Sequence, residues 1–392
     1  MNGCCNRLQQ RFYCVHAKRV KPTREAIVVA SRDEDSEMDQ KPRRLKHDRV
    51  TPPAAPRPTI KDIAERCGVH PSTVSRALSP AMKHLVADDV AKRIQAMAGA
   101  LGYRLNMAAA GLRTGRSGLI GVLVPDIADP GFPPILSGIT DGLDAAGYAT
   151  IVVDVGRGGA QQPLVDRLIA RGVDGLVLAT VSLRDPIVKH CLDAALPVVL
   201  VNRLDGSTRL PSVASDDAAG MRLAVAHLVT LGHISIGHVA GPQAISTGAR
   251  RRAGFEAGAA QAGLRTRDVA VEVAERYTRE AGRQAALRLL DRKTRPSAIV
   301  AANDLLALGV YDALAARRLT CPADMSVVGH NDMPYVDMVS PPLTTVRIAQ
   351  REMGETAAKL LLDRIAGPTA KREQLVLTPE LIVRGSTAKP RA

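Results

Sequence analysis

The sequence predicts a mixed α/β protein: an N-terminal helix-turn-helix headpiece and hinge helix, followed by two doubly wound α/β subdomains. Three observations predict it. Residues 59–78 carry two short helical patterns separated by Cys67-Gly68-Val69. From Leu119 onward, short continuous apolar runs alternate with amphipathic helical stretches, the mark of parallel sheets covered on both faces. That alternation lasts for about 270 residues, long for one such sheet and enough for two with a cleft. The 392 residues, 46% of them apolar, supply cores for two or three domains.

Residues 1–58 mix charges without periodicity and end in Thr51-Pro-Pro-Ala-Ala-Pro-Arg-Pro58, which reads as a disordered basic extension and a Pro-rich linker. Met38 is a second candidate start, whose use would leave residues 1–37 untranslated. Residues 59–104 form the headpiece. Ile60, Ile63 and Ala64 share one helical face, and Pro71 opens a second helix, where its missing N–H costs little. Val74, Ala77 and Leu78 give that helix its apolar side; Ser72, Thr73, Ser75 and Arg76 remain for its outer surface. Asp88–Leu101 repeats apolar residues at helical spacing and closes at Gly102. Residues 105–117 are alanine-rich but short, and Gly111 weakens them, so this segment is helical only when something holds it.

Strand patterns follow at Leu119–Val124, Thr150–Val155, Gly175–Ala179, Pro197–Val201, Ser212–Ala214, Ile234–Ala240, Ala298–Ala301 and Met325–Gly329. Helical patterns lie at Ile135–Ala146, Gln162–Arg171, Ala218–Leu231, Ala249–Ala262, Arg279–Leu290, Asp304–Arg317 and Gln350–Ile365. Residues 118–386 are read as the two-subdomain body, residues 387–392 as a tail. Ligands in such folds sit beyond the carboxyl ends of the strands.

The net charge of +14 is unevenly placed: about +6 on residues 1–58, about +5 on 59–117 and about +3 on the rest. Two short helices around a glycine turn also suit an ordinary helical hairpin, but the basic excess beside them suits a polyanion, and together they read as a DNA-binding helix-turn-helix. No apolar run is long enough to span a bilayer, and Ala26–Ala30 is too short for a signal peptide, so a cytoplasmic, nucleoid-associated protein is expected. Cys67, Cys191 and Cys321 stand singly among apolar neighbours, as reduced core cysteines do. Cys4, Cys5, Cys14 and His16 lack zinc-type spacing. The serines have no His-Asp pattern near them, and Gly156-Arg-Gly-Gly159 lacks the third spaced glycine of a dinucleotide fingerprint. No enzyme, no cofactor and no metal are predicted.

The motifs Thr59-Ile-Lys-Asp-Ile-Ala64, Thr73-Val-Ser-Arg76, Leu101-Gly-Tyr103 with Asn106, and Arg113-Thr-Gly-Arg-Ser117 stand in that order. Leu228–His233, Gly241-Pro242, Arg251 with Gly254-Phe255, Asn303-Asp304, Val327-Val-Gly329 and Pro341-Pro-Leu-Thr-Thr345 follow. In combination the chain from Thr59 to about Arg384 resembles the lactose/galactose-repressor family of bacterial transcription regulators. The resemblance implies a homodimer on a pseudo-palindromic double-stranded operator, hinge helices in the minor groove, and a periplasmic-binding-protein-like body that closes on a small molecule.

Carried over residue by residue, Pro71, Ser72 and Arg76 fall at the base-reading positions. Arg76 suits guanine O6 and N7, and Ser72, able to donate or accept, discriminates weakly. Thr59, Thr73, Ser75 and Asn106 are phosphate or positioning contacts. Leu112 is a candidate wedge into a base step, with Arg113 and Arg116 along the phosphates. Leu105 replaces a proline common before the hinge asparagine, and the Ser79–Ala87 loop is longer than the family's short form. Effector contacts fall on Arg251, Tyr277, Asn303 and Asn331, with Asp129, Phe132, Asn202 and Ser215 near the cleft wall. Asn331 stands where sugar- and purine-responsive members often carry Asp; the lost negative charge beside Arg251 places a sugar acid slightly ahead of a neutral sugar as effector. The C-terminus has no leucine heptads, so a dimer without a coiled-coil tail is expected.

Overall fold

In the computed structural model, residues 58–79, 82–103, 115–156, 160–367 and 373–391 are described. The readings placed on residues 1–57 and on Asn106, Gly111, Leu112 and Arg113 lie outside them.

Thr59 opens the unit that runs to the C-terminus. Helix α1 (Ile60–Cys67) starts with a capping box: Asp62 N–H donates to Thr59 Oγ1, and Thr59 N–H to Asp62 Oδ2 at 2.6 Å. It stops at Gly68, whose φ of 62° is the left-handed conformation that favours glycine. Helix α2 (Pro71–Leu78) follows, then a single 3₁₀ turn at Lys83–Leu85 and helix α3 (Asp88–Ala100). Ile63, Val74, Ala77, Ala91 and Ile94 interlock the three helices into one small core. Arg93 ties α3 to the end of α1 through the Cys67 carbonyl, at 3.2 Å.

The body begins where the Ser117 and Gly118 amides donate to the Asp174 carboxylate at 2.9 and 2.8 Å. The first lobe then runs through β1 (Leu119–Val124), α4 (Pro133–Asp144), β2 (Ala149–Asp154), α5 (Gln161–Ala170), β3 (Gly175–Leu178), α6 (Pro186–Asp193), β4 (Val198–Val201) and β5 (Ser212–Ser215). The second holds α7 (Asp217–Thr230), β6 (Ile236–Ala240), α8 (Ser246–Gln261), β7 (Val269–Val273), α9 (Arg279–Leu290), β8 (Ala298–Ala301), α10 (Asp304–Ala316), β9 (Ser326–Asn331) and β10 (Thr344–Arg347). The chain then returns to the first lobe with α11 (Gln350–Ala366) and β11 (Gln374–Leu377), and ends in the second with β12 (Glu380–Ile382).

The sheet orders are β2-β1-β3-β4-β5-β11 and β7-β6-β8-β9-β10-β12, the same winding twice. The pairings are parallel except β10 with β12, which is antiparallel. The chain crosses between the lobes three times, after β5, β10 and β11. Helix α11 docks on α4 with backbones in near contact: a Cβ on Gly354 would lie 2.1 Å from the Ile135 carbonyl oxygen.

Five elements of the body escape the hydrophobic pattern. Helix α6 is short and starts on Asp185-Pro186, which reads as a turn. Strands β7, β10, β11 and β12 are short or edge-exposed and carry polar residues. The boundary drawn before a tail at 387 is corrected. Ser386 is fully buried, its hydroxyl donating to the Val327 carbonyl at 2.6 Å, and the Ala388 carbonyl accepts from Ser326 Oγ at 3.1 Å, so this segment is sewn into the second lobe. Cys67 and Cys191 are buried and Cys321 half-buried, all as free thiols. Among the described residues, no helix is long and apolar enough to cross a membrane, and no group of His, Cys, Asp and Glu could hold a metal.

Candidate functional site

Two places carry the residues singled out above. The first is α2. Its buried side is Val74 and Ala77. Ser72 and Arg76, one helical turn apart, are exposed on one face, and Pro71, Thr73 and Ser75 are half-buried. The helix is capped by His70, whose Nδ1 accepts from the Ser72 N–H at 3.3 Å and lies 2.8 Å from Ser72 Oγ. His70 was not anticipated, although the N-cap position before Pro71 was there to find it. Thr59, exposed, is taken up by its capping box.

The second place is a narrow cavity at the carboxyl ends of the strands, where the lobes meet. The first lobe contributes Asp129 and Phe132 from the β1–α4 connection and Asn202 and Arg203 after β4. The second contributes Thr247 and Arg251 from α8, Tyr277 before α9, Asn303 after β8 and Asn331 at the end of β9; Gln350 reaches in from the crossing into α11. Asp129, Phe132, Asn202, Arg251, Tyr277, Asn303 and Asn331 are thus brought together across some two hundred residues of chain. Ser215 is not among the lining residues: it is buried at the end of β5, its hydroxyl without a hydrogen-bond partner.

The electrostatics differ from the expectation at Arg251. This side chain is 2% exposed and donates through Nε to Asp217 Oδ1 at 2.8 Å and through Nη1 to the Ala302 carbonyl at 2.6 Å. Burial works against its charge, but Asp217 and then Tyr277 outweigh burial and hold its pKa above the ordinary value. The positive balance predicted beside Asn331 is therefore cancelled by Asp217. The cation without such a partner is Arg203. Among the described residues its side chain has no hydrogen bond or ion pair, and burial lowers its pKa. In the same cavity, burial raises the pKa of Asp129, against the pull of the Gly131 N–H that it accepts at 2.9 Å.

The amides are oriented. Asn303 Oδ1 caps α10 by accepting from the Leu306 N–H at 2.9 Å, which leaves the Asn303 NH₂ available. Asn331, held at a φ of 112°, has its Oδ1 3.1 Å from His330 Nδ1. Gln350 Nε2 donates to the Gly131 carbonyl at 3.1 Å. Tyr277 fits because residue 241 is glycine: a Cβ there would lie 2.4 Å from the tyrosine ring and hydroxyl. The sequence reading missed the polar Arg203, Thr247 and Gln350 as well as Gly131, Ile135 and Ile348. Thr247 lies one turn before Arg251 on α8, a helical spacing that could have pointed to it.

Residues 59–106 match the model of bacterial regulatory proteins, lacI family, and residues 225–387 that of a periplasmic binding protein-like domain. The chain is 35% identical over 338 residues to the HTH-type transcriptional regulator MalR of Streptomyces coelicolor, covering 84% of this chain and 96% of that one. It is 30% identical to the ribose operon repressor of Escherichia coli K12, over 84% of this chain and 99% of the repressor. A crystal structure of the Lac repressor dimer bound to operator and the anti-inducer ONPF superposes with a TM-score of 0.74 at 29% identity, over 84% of this chain and 99% of the repressor. The chain belongs to the lacI family of bacterial regulatory proteins and is a DNA-binding transcriptional regulator.

Proposed function

We propose that this regulator is a cytoplasmic repressor that acts by binding alone. As a homodimer it grips a pseudo-palindromic operator, and a small polyhydroxylated metabolite, a sugar or sugar acid, controls the grip. The observation that carries this reading is the cavity. Asn202, Asn303, Asn331 and Gln350 offer amides in a cavity also lined by Phe132 and Tyr277, at the place where two doubly wound lobes bind ligands. Arg203 and Asp129 both line it, and Arg251 is matched by Asp217, so the formal charges sum to zero. That balance moves the preference to a neutral sugar, with the sugar acid second. The relatives support the class: one represses a ribose operon, and the Lac repressor holds ONPF together with its operator.

On the DNA side, Arg76 and Ser72 read bases, Pro71 offers apolar contact, and Thr73 and Ser75 position the helix on phosphates; Thr59, its donors taken up by Asp62, serves as the cap of α1. Asn106, Leu112 and Arg113 belong to the hinge in this reading. Coupling between effector and operator is reciprocal: a sugar that weakens DNA binding must bind the DNA-bound protein more weakly by the same factor. Calorimetry with ribose, galactose, maltose and gluconate, followed by operator titration with the binder present, tests it. A neutral sugar that binds and shifts operator affinity at least about fivefold supports the reading. Absence of binding by any sugar or sugar acid counts against it.

A further inference from the structure

We propose that His70 fixes the hydrogen-bonding sense of Ser72, turning it from a weak reader of either sense into an acceptor-only reader that selects adenine or cytosine. The inference rests on the reading of α2 as the helix that enters the major groove. It starts from two contacts to one atom. His70 Nδ1 accepts from the Ser72 backbone N–H at 3.3 Å and lies 2.8 Å from Ser72 Oγ.

A backbone amide can only donate. Nδ1 therefore turns its lone pair toward residue 72, and the proton of the neutral ring sits on Nε2. A bare Nδ1 can only accept, so the hydroxyl 2.8 Å away is the donor. A serine hydroxyl has one proton, and here His70 holds it. What Ser72 shows to solvent, and to a base edge, is lone pairs alone.

In the major groove, donors at the base edge come only from adenine N6 and cytosine N4; guanine and thymine present acceptors. Ser72 thus attracts adenine or cytosine and repels guanine or thymine. Arg76, on the same face one turn away, is a donor without acceptor capacity and suits guanine. The two readers have opposite sense, so their order along the half-site is set. His70 itself is exposed and has its Nε2–H left to donate to a phosphate oxygen.

The test is selection by the full chain from duplexes with randomised palindromic half-sites, comparing the wild type with Ser72→Ala, His70→Phe and His70→Asn. The wild type should prefer adenine or cytosine over guanine or thymine about tenfold at one position. It should prefer guanine at the position read by Arg76. Ser72→Ala and His70→Phe should cut the first preference to below about threefold and leave the guanine preference. His70→Asn, whose Oδ1 restores an acceptor at the cap, should keep both. The retained guanine preference shows that each variant is folded and docked. If His70→Phe leaves the wild-type pattern unchanged, or if guanine or thymine is preferred at the first position, the proposal is overturned while the DNA-reading role of α2 stands. If the wild type enriches no palindrome, that role falls and the proposal falls with it.

Discussion

The two lobes wind six strands in the same order around aliphatic cores, but the second lobe adds a buried polar assembly. Ile120, Val122, Leu176 and Leu178 pack the first sheet, and Ile299, Val300, Val327 and Val328 the second. Behind the carboxyl ends of the second sheet lies a buried polar assembly. It contains Arg251 against Asp217, His330 with Nε2 4.0 Å from Asp217 Oδ1, and Asp304 accepting from Thr345 Oγ1 at 2.6 Å and from the Met333 N–H at 2.8 Å. His238 stacks on Phe255 with ring centroids 4.6 Å apart. The fold is compatible with either interior, because backbone pairing and helix packing fix the winding. The chemistry comes with the second lobe, whose polar groups hold the cavity residues Arg251 and Asn331 in place.

The largest effect follows from breaking the buried pair. Asp217→Ala leaves the Arg251 charge buried and unpartnered and should lower unfolding free energy by about 3–5 kcal/mol in urea titrations. A cavity in the first lobe, Leu176→Ala, should cost about 2–5 kcal/mol by a different route, lost packing. The double change Asp217→Leu with Arg251→Met separates the two interiors. Two apolar side chains restore packing without a stranded charge, so stability should return to near the wild type while effector binding stays lost. A double variant as unstable as Asp217→Ala would show that the ion pair is itself a source of stability.

The next effect depends on pH. Burial raises Asp304 from its usual range to about 7, so the stability it contributes is complete below about pH 4 and is lost as pH rises toward 7. Burial lowers His238 from 6.5 to about 4, so its contribution is complete above 6.5 and is lost as pH falls toward 4. The windows overlap with opposite sign. Asp304→Asn keeps both hydrogen bonds, with Oδ1 accepting from Met333 and Nδ2 donating to Thr345, but removes the titration. Its unfolding free energy should therefore climb from pH 4.5 to 6.5 more steeply than that of the wild type. An equal or shallower slope in paired urea titrations would refute this account.

What the sequence made legible was whatever has a local period. Thr59–Leu78 announced its two helices through apolar spacing and the turn at Gly68, and β1 and β8 stand where their aliphatic runs placed them. Most cavity residues were also found, because Arg251, Asn303 and Asn331 sit in recognisable strings. The neutralising of Arg251 was not legible. Asp217 is 34 positions away at the start of a helix that reads as ordinary, and only the packing of α7 on α8 joins them. Strand β10, Thr344-Thr-Val-Arg347, was hidden for a related reason: its threonines are fully buried because Asp304, Arg384 and Ser386 supply their hydrogen bonds from afar.

A smaller effect is expected on the cavity side of this comparison. Gly241→Ala forces Tyr277 from its place, since the added carbon would lie 2.4 Å from the tyrosine ring. The strain should cost about 1–3 kcal/mol, and the shifted ring should weaken sugar binding about tenfold by calorimetry. The headpiece should be untouched, with operator affinity in the absence of sugar unchanged. A loss of ligand-free operator binding equal to the loss of sugar binding would mean that Gly241 serves the fold generally.

The smallest effect is the most discriminating for the ligand. Tyr277 is the aromatic wall of the second lobe, and its hydroxyl makes one long bond, 3.4 Å to Thr247 Oγ1. Tyr277→Phe should change stability by no more than about 1 kcal/mol, because so long a bond contributes little. Its effect on sugar affinity depends on which part of the residue the ligand uses. If the ring covers an apolar sugar face, Phe retains the contact and affinity should fall less than about threefold. If the hydroxyl donates to a sugar oxygen, its removal strands a buried partner and affinity should fall more than tenfold. Because Thr247 holds that hydroxyl only weakly, the proton is free to turn toward a ligand, and the second outcome would place the specificity of the cavity, like its buried charges, in the second lobe.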